Sequence, residues 1–381
     1  MVSASGGDTA TDTVHSGGML NQMGSGGDLT SGSGGAGDVA SGGAPSSGGA
    51  STDASGGSDS ITGSGGAAPT SATYIPDPSW DCGMPEGIVD PELGELVFSV
   101  NVDIGEMNNV GLTQYGQRRF TDLKGGSIEG ELAATFLPGG LDFELTLENG
   151  TVELEQVAML RAADNSPIYM RSCGLAPKDA TMVRFVPDFE APNSSSVAWL
   201  NTGKFVGTRT LDEANKKMMF AVYDVSMVAV GDSKITWQDP SNVPHQPWEC
   251  LKLTGTKGAA VLTEQVSLGG SISVGASKRG SRNVIPITGG TVSGELTGSV
   301  FPAGADYQLV SGSTVLDARY VLESNQGEFV IVRNCGPFGA LVPLFEATDD
   351  GPFAFLNENR FLSSDPGVGG GGVSITFYEL Q

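Results

Sequence analysis

The chain has 381 residues, room for two or three domains, and a formal net charge of −24 at neutral pH. That balance argues against nucleic acid or an anionic membrane face as partner, since both are bound through clusters of lysine and arginine. The two histidines, His15 and His245, lie far from any strand pattern, which removes Ser-His-Asp and Cys-His catalysis and the commonest metal ligands.

Residues 1–73 are mostly Gly, Ser, Ala, Thr and Asp, with no aromatic residue, cysteine, lysine or arginine. Such a stretch buries too little apolar surface to offset the entropy of ordering it, so a disordered tether is expected. As a flexible Gly/Ser coil it would span roughly 45–50 Å. Nowhere is there an apolar run near the about 20 residues a membrane helix needs, nor a basic stretch leading into an apolar one as in a signal peptide. The tether is similar in style to the spacer behind the anchor of bacterial surface lipoproteins, without the anchoring cysteine. An extracytoplasmic protein, secreted or surface-tethered, is the expectation.

Order is expected to begin near Tyr74. In GELVFSVNVDIGE, the residues Leu96, Phe98, Val100, Val102 and Ile104 alternate with more polar neighbours, the period of a half-buried strand. The alternation recurs in LEQVAML, IYMRSC, KMMFAVYDVSMVAV, TVLDARYVL, GEFVIVRNC and VSITFYEL. Turn signals such as Asn149-Gly150, Asp164-Asn165 and Gln326-Gly327 separate these runs. No stretch carries a capped helical period. Many short strands with abundant glycine predict antiparallel sheets closed into barrels or sandwiches.

The chain also repeats itself. Arg118 to Leu145 (RRFTDLKGGSIEGELAATFLPGGLDFEL) aligns without a gap on Arg282 to Leu309 (RNVIPITGGTVSGELTGSVFPAGADYQL). Further matches pair Trp80-Asp81-Cys82 with Trp248-Glu249-Cys250, and Arg171-Ser172-Cys173-Gly174 with Arg333-Asn334-Cys335-Gly336. Phe189-Glu190 likewise pairs with Phe345-Glu346, and Trp199-Leu200-Asn201 with Phe355-Leu356-Asn357. One domain used twice is the reading: a first β-barrel over 74–240 and a second over 241–381, joined near the polar connector Asp239 to Gln246. The four cysteines fall at matched positions, and the economical pairing is Cys82 with Cys173 and Cys250 with Cys335. Each disulfide closes a long loop, where lost chain entropy would be worth up to about 4–5 kcal/mol. Neither CxxC nor a His/Cys cluster is present for zinc. Free thiols are the remaining alternative, and the export-type tether favours oxidation.

In these motifs the chain resembles the DUF3237 (UPF0311) family of small β-barrel proteins. The second copy carries the pattern nearly intact: Arg282, Pro286-Ile287-Thr288-Gly289-Gly290, Gly294, Gly298, Pro302-Ala303-Gly304-Ala305-Asp306, Leu316-Asp317-Ala318-Arg319-Tyr320, Asn334, Phe345-Glu346 and Leu356-Asn357. The first copy keeps the glycines, Asp142, Phe189-Glu190 and Trp199-Leu200-Asn201, but reads Glu155-Gln156-Val157-Ala158 where the second has Asp-Ala-Arg-Tyr. The resemblance implies tandem barrels, similar in general shape to barrels that hold small apolar molecules; it implies no single reaction.

Without histidine, acid–base work falls to carboxylates or tyrosines with shifted pKa values. Asp317 and Arg319 are two apart on a strand and share a face. They could orient a polar ligand group inside the barrel, or form an ion pair that stabilises its wall. Asp306 and Asp142 end the Pro-x-Gly-x-Asp turn, as a base at a barrel mouth or as a holder of the turn's backbone N–H groups. Arg282 and Arg118, with Arg333 and Arg171, could neutralise those aspartates or stand at solvated edges. Glu346 and Glu190 follow phenylalanines, where burial would raise a carboxyl pKa; in water they are loop residues. Asn357 and Asn201 could donate to a ligand or cap a turn. The Gly-Gly turns lie between strands without GxxxxGK[ST], so they are not phosphate loops.

Two readings follow from different classes. One is an exported tandem-barrel module that binds a small apolar or aromatic molecule, or acts at the cell surface, without turnover. The other is a lyase or isomerase free of cofactor and metal, using Asp306, Asp317, Arg319 and Tyr320, with Arg282, Arg333, Glu346, Asn357, Arg118, Asp142, Glu190 and Asn201 lining the two sites. Convergence of Arg282, Asp306, Asp317 and Arg319 in one cavity discriminates between them.

Overall fold

The structure, a computed structural model, describes residues 87–229, 234–235, 249–369 and 371–381. The expected tether, Cys82, both histidines and the connector around Asp239 to Gln246 lie outside the described residues. The chain is all-β.

The first copy contains β1 (Glu95–Ile104), β2 (Asn108–Thr113), β3 (Gly116–Gly130), β4 (Ala134–Phe136), β5 (Gly140–Thr146), β6 (Val152–Ala162), β7 (Pro167–Ala176), β8 (Met182–Glu190), β9 (Phe205–Asp212) and β10 (Lys217–Asp224). Neighbours pair antiparallel from β3 round to β10, and β1 pairs with both β10 and β3. The sheet is thereby a closed barrel, which leaves no unpaired edge in its ring.

The second copy contains β11 (Lys257–Leu268), β12 (Ile272–Ala276), β13 (Ser281–Gly294), β14 (Gly298–Val300), β15 (Ala305–Ser311), β16 (Ser313–Ser324), β17 (Phe329–Pro337), β18 (Val342–Glu346), β19 (Phe361–Ser363), β20 (Gly367–Gly369) and β21 (Gly372–Leu380). This sheet curls into a ring of the same order but carries no strand pairing between β18 and β19. The first copy pairs β8 with the eight-residue β9 there. The three-residue β19 instead runs into Pro366, which has no N–H to continue a ladder. One backbone bond, Ser363 N–H to the Leu341 carbonyl at 3.0 Å, spans the gap.

The repeated glycines are backbone requirements. Gly130 and Gly294 occupy matched positions with φ of +129° and +115°. A Cβ there would lie 2.5 Å and 2.2 Å from the carbonyls of Val97 and Val261 on the adjoining strands.

Each ring has its own apolar interior, centred on Phe98, Phe185 and Phe220 in the first and on Tyr320, Phe345 and Phe377 in the second. A third cluster joins them. It sets Val110, Phe120, Phe143 and Tyr169 of the first copy against their counterparts Val274, Val284, Tyr307 and Ile331 of the second. Contacts across it are reciprocal. Arg118 forks onto Glu346 (2.7 and 2.8 Å), and its counterpart Arg282 forks onto Glu190, the counterpart of Glu346 (3.1 and 2.5 Å). The Asn193 N–H bonds the Ala276 carbonyl, and the matched Asp349 N–H bonds the Leu112 carbonyl, both at 2.8 Å. Such i-to-j and j-to-i pairing is the mark of a two-fold interface, here formed between halves of one chain. Both repeat copies belong to one compact unit.

The second copy's cysteines Cys250 and Cys335 form the expected disulfide, with a Cα separation of 5.2 Å. Cys173 is also disulfide-bonded, and its expected partner Cys82 lies outside the described residues.

Glu346→Gln removes the carboxylate that Arg118 forks onto in a buried setting, a loss that costs up to about 3–5 kcal/mol. Adding Arg118→Met to Glu346→Leu should restore most of the loss, because a buried ion pair is often replaceable by apolar side chains. Urea unfolding of the variants checks this; a double variant no more stable than Glu346→Gln contradicts it.

Candidate functional site

Strand β16 divides the proposed site residues between two faces, because successive side chains alternate. Ala318, Tyr320 and Leu322 point into the second ring, whereas Val321 belongs to the cluster between the copies. Asp317 and Arg319 share the outer face. Arg319 pairs with Asp317 at 3.1 Å and also with Glu155 of the first copy, and Arg333 holds Asp317 at 2.9 Å. Glu155 is the counterpart of Asp317, and it is held by Arg171, the counterpart of Arg333, at 3.2 Å. Of the alternatives open for Asp317 and Arg319, the geometry is that of a buried ion-pair network between the copies.

Asp306 points the other way. Its backbone neighbours Ala305 and Tyr307 join the cluster between the copies, and its carboxylate lines a cavity of about 80 Å³ inside the second ring. Val266, Ile285, Ile287, Leu316, Val373 and Ile375 form an apolar wall, while Tyr320 and Asn334 stand with Asp306 as the polar lining. Leu341 and Pro366, from either side of the β18/β19 gap, complete it. Register explains the polar grouping: Asp306 lies opposite Ala318, and Ala318 opposite Asn334. The three form one row across adjacent strands, with the smallest side chain in the middle.

The cavity's carboxyls titrate far from their usual range. Burial pushes Asp306 up to about 6, against hydrogen bonds from Gln308 Nε2 (2.7 Å) and the Asp317 N–H (3.1 Å). Behind Tyr320 stands Glu264, fully buried and pushed by that burial up to about 8 although the Tyr320 hydroxyl donates to it at 2.7 Å. Near neutral pH, one carboxyl is therefore ionised and its neighbour protonated. The sequence reading missed Glu264. Its signal was in the alternation: between Leu262 and Val266 on an inward phase, an acid sits where an apolar residue belongs. Asn334 entered only as a motif residue and proves to line the cavity.

In the first copy the same row reads Asp142, Gln156, Ser172, and the space is filled. Gln156 Nε2 donates to Asp142, and Arg209 donates to Asp142 at 2.7 Å and also to Glu144. Burial raises Asp142 to about 6, with the Arg209 charge opposing. The site pattern at Glu264 and Tyr320 is absent as well, since Val100 and Ala158 occupy the matched positions.

The remaining candidates are structural in placement. Arg118, Arg282, Glu190 and Glu346 form the reciprocal pairs already described, outside either barrel interior. Burial by itself would raise Glu190, but the Arg282 hydrogen bonds and charge, with the Ser277 hydroxyl, outweigh it and hold the carboxyl below the usual range. Asn201 and Asn357 clamp matched loops, each accepting from and donating to one backbone residue, Ala191 and Ala347 respectively, at 2.8 and 2.9 Å. Arg282, Asp317 and Arg319 thus do not converge with Asp306; Tyr320 does.

The ring-shaped sheets with an apolar interior define a small β-barrel class. The sequence profile of the DUF3237 family, described as proteins of unknown function, matches residues 93–228 and 257–340, more than half of the chain, which belongs to that family. UPF0311 proteins from Bradyrhizobium diazoefficiens and Rhodopseudomonas palustris strain TIE-1 are 38% and 39% identical over 78 and 79 residues, each 20% of this chain and 51% and 52% of theirs. The chain spans about half the length of the curated relatives it matches. Among solved structures, a conserved protein of unknown function from Rhodopseudomonas palustris is similar at 26% identity, covering 34% of this chain and 95% of its own, with a TM-score of 0.30. A β-barrel-like protein from Acinetobacter baumannii covers 34% of this chain and 94% of its own, at 22% identity and a TM-score of 0.30. No helix among the described residues is long and apolar enough to cross a membrane.

Glu264 offers a direct test of the interior. Its folded pKa of about 8 lies above the ordinary 4.5, so the folded state retains a proton that the unfolded chain releases. Its contribution is fully present below about pH 4.5 and is lost as pH rises toward 8, at up to about 1.4 kcal/mol per pH unit. Glu264→Gln has no such proton, and its unfolding free energy should fall less steeply than the wild type's between pH 5 and 8. Parallel urea titrations measure this; equal slopes would contradict the assignment.

Proposed function

We propose that this protein is a binding module for a small, largely apolar molecule, with its site in the second ring. The observation that carries the reading is the cross-strand row: Asp306 and Asn334 flank Ala318, where the first copy places Gln156. One copy thus holds a small, partly open apolar space with polar groups on one wall, lined as small-ligand pockets are but smaller than the usual roughly 300–1,000 Å³. The other copy, filled by its own side chains, supplies a rigid partner. At about 80 Å³, and with roughly 10–15 Å³ needed per water-sized probe, the space suits a ligand of about five to eight non-hydrogen atoms.

A second reading is supported by the two carboxyls. Asp306 near 6 and Glu264 near 8 form the divided pair from which a general base and a general acid can be drawn. A lyase or isomerase step would then use Asp306 as the base, with Glu264 acting through the Tyr320 hydroxyl; Asp317 and Arg319 would act only by holding β16. We further propose an extracytoplasmic location, which the Cys250–Cys335 disulfide supports.

A ligand-observed NMR screen of small apolar fragments, run on the wild type and on Ala318→Gln, tests the binding site. Fragments that bind the wild type should lose at least tenfold in affinity to the variant, which recreates the filled row. Equal binding to both proteins would remove the second ring as the site.

A further inference from the structure

The pocket holds a buried acceptor without a partner. Ser363 Oγ has a single proton and donates it to the Ser364 carbonyl at 2.8 Å, so it must accept from Asn334 Nδ2 at 2.9 Å. This fixes the amide and leaves Asn334 Oδ1 without a partner, on a residue only 2% exposed. The Tyr320 hydroxyl spends its proton on Glu264, and Asp306 offers a carboxylate. Among the described residues, no lysine or arginine forms an ion pair with Asp306; Arg282, Arg319 and Arg333 are bound to carboxylates on the outer face. The cavity therefore presents the unpartnered Asn334 Oδ1 and the Asp306 carboxylate, which no lysine or arginine among the described residues neutralises by an ion pair.

The first copy displays what such a row recruits. There the counterpart aspartate, Asp142, receives an N–H from Gln156 and a cationic N–H from Arg209. In the second copy those positions hold Ala318, whose methyl donates nothing, and the exposed Asp365, engaged with the Gly339 N–H at 2.7 Å. Beside the same aspartate the first ring sets a cationic donor, Arg209, whereas the second sets only neutral ones, Gln308 Nε2 and the Asp317 N–H.

We propose that the pocket of the second ring takes a small aliphatic amine, its ammonium seated over Ala318 between Asp306 and Asn334 Oδ1 and its branched or cyclic body against the isoleucine wall. This rests on the reading of the second ring as a ligand site and names its ligand class. Asp306 supplies the countercharge and Asn334 a second acceptor, the two strands apart being about 9–10 Å, a span that one ammonium bridges with both side chains leaning inward. A carboxylic acid of the same shape would set a second anion beside Asp306 in an apolar enclosure, where an unpaired charge is costly, and it is excluded. The Asp306 carboxyl, already mostly ionised at neutral pH, is in the state the ammonium requires.

The test follows the ¹³C-methyl signals of Ile285, Ile287 and Ile375 in the full-length protein at pH 7.5, titrated separately with isobutylamine, isobutanol and isobutyrate. Isobutylamine should move these signals with an affinity at least tenfold above the other two. Asp306→Asn should remove at least tenfold of that affinity, with first-ring methyl signals unmoved. As a second variant, Ala318→Gln should abolish amine binding by supplying the nitrogen internally. Isobutyrate or isobutanol binding as tightly as the amine, or amine binding indifferent to Asp306→Asn, would overturn the ligand class while leaving the pocket occupied. If none of the three probes moves those methyls at saturating concentration, the ligand class and the site both fall.

Discussion

Two buried arginine–glutamate pairs, Arg118 with Glu346 and Arg282 with Glu190, set the organisation of the whole molecule. Each buries both charges almost completely, and each spans the two copies. A buried charge without its partner is penalised far more than the intact pair is rewarded, so the pairs act chiefly by forbidding other arrangements. Because they are reciprocal, they pair the copies in a two-fold manner, and the aromatic cluster of Phe120, Phe143, Tyr169 and Tyr307 packs between the copies. The tandem chain is built as a homodimer would be, with each contact between the copies repeated by the counterpart residues.

The interface between the copies also decides which residues are left for chemistry. Facing it consumes the outer side of β15 and β16, including Asp317, Arg319 and Tyr307. The inner side of the same strands keeps Asp306, Ala318 and Tyr320. Inside their rings the copies differ. The first closes its ring through β8 and β9 and fills its interior with Gln156 and Arg209, whereas the second has the three-residue β19, no pairing between β18 and β19, and Ala318 in the open row.

Much of this was legible in the chain. Period-two alternation and glycine punctuation gave the all-β class, the aligned stretches from Arg118 and Arg282 gave the duplication, and the matched cysteines led to the Cys250–Cys335 bond. The site was only partly legible, for a physical reason. Alternation separates the faces of a strand, but it marks the inward one only when the other meets water. On β16 both faces are buried, one by the ring interior and one by the companion copy, so Arg319 and Tyr320 could not be told apart by pattern. Glu264 and Asn334 acquire meaning only through neighbours the fold brings to them, Glu264 through the Tyr320 hydroxyl and Asn334 through its register opposite Ala318.

The two-fold pairing of the copies is tested most directly by cutting the chain between them. A protease site placed within the Asp239 to Gln246 connector allows the full-length protein to be folded first and then nicked. The halves should remain together under non-denaturing conditions, eluting on size exclusion and weighing in native mass spectrometry as the intact protein does. Halves that separate in plain buffer, each folded and alone, would contradict the interface on which every placement above depends.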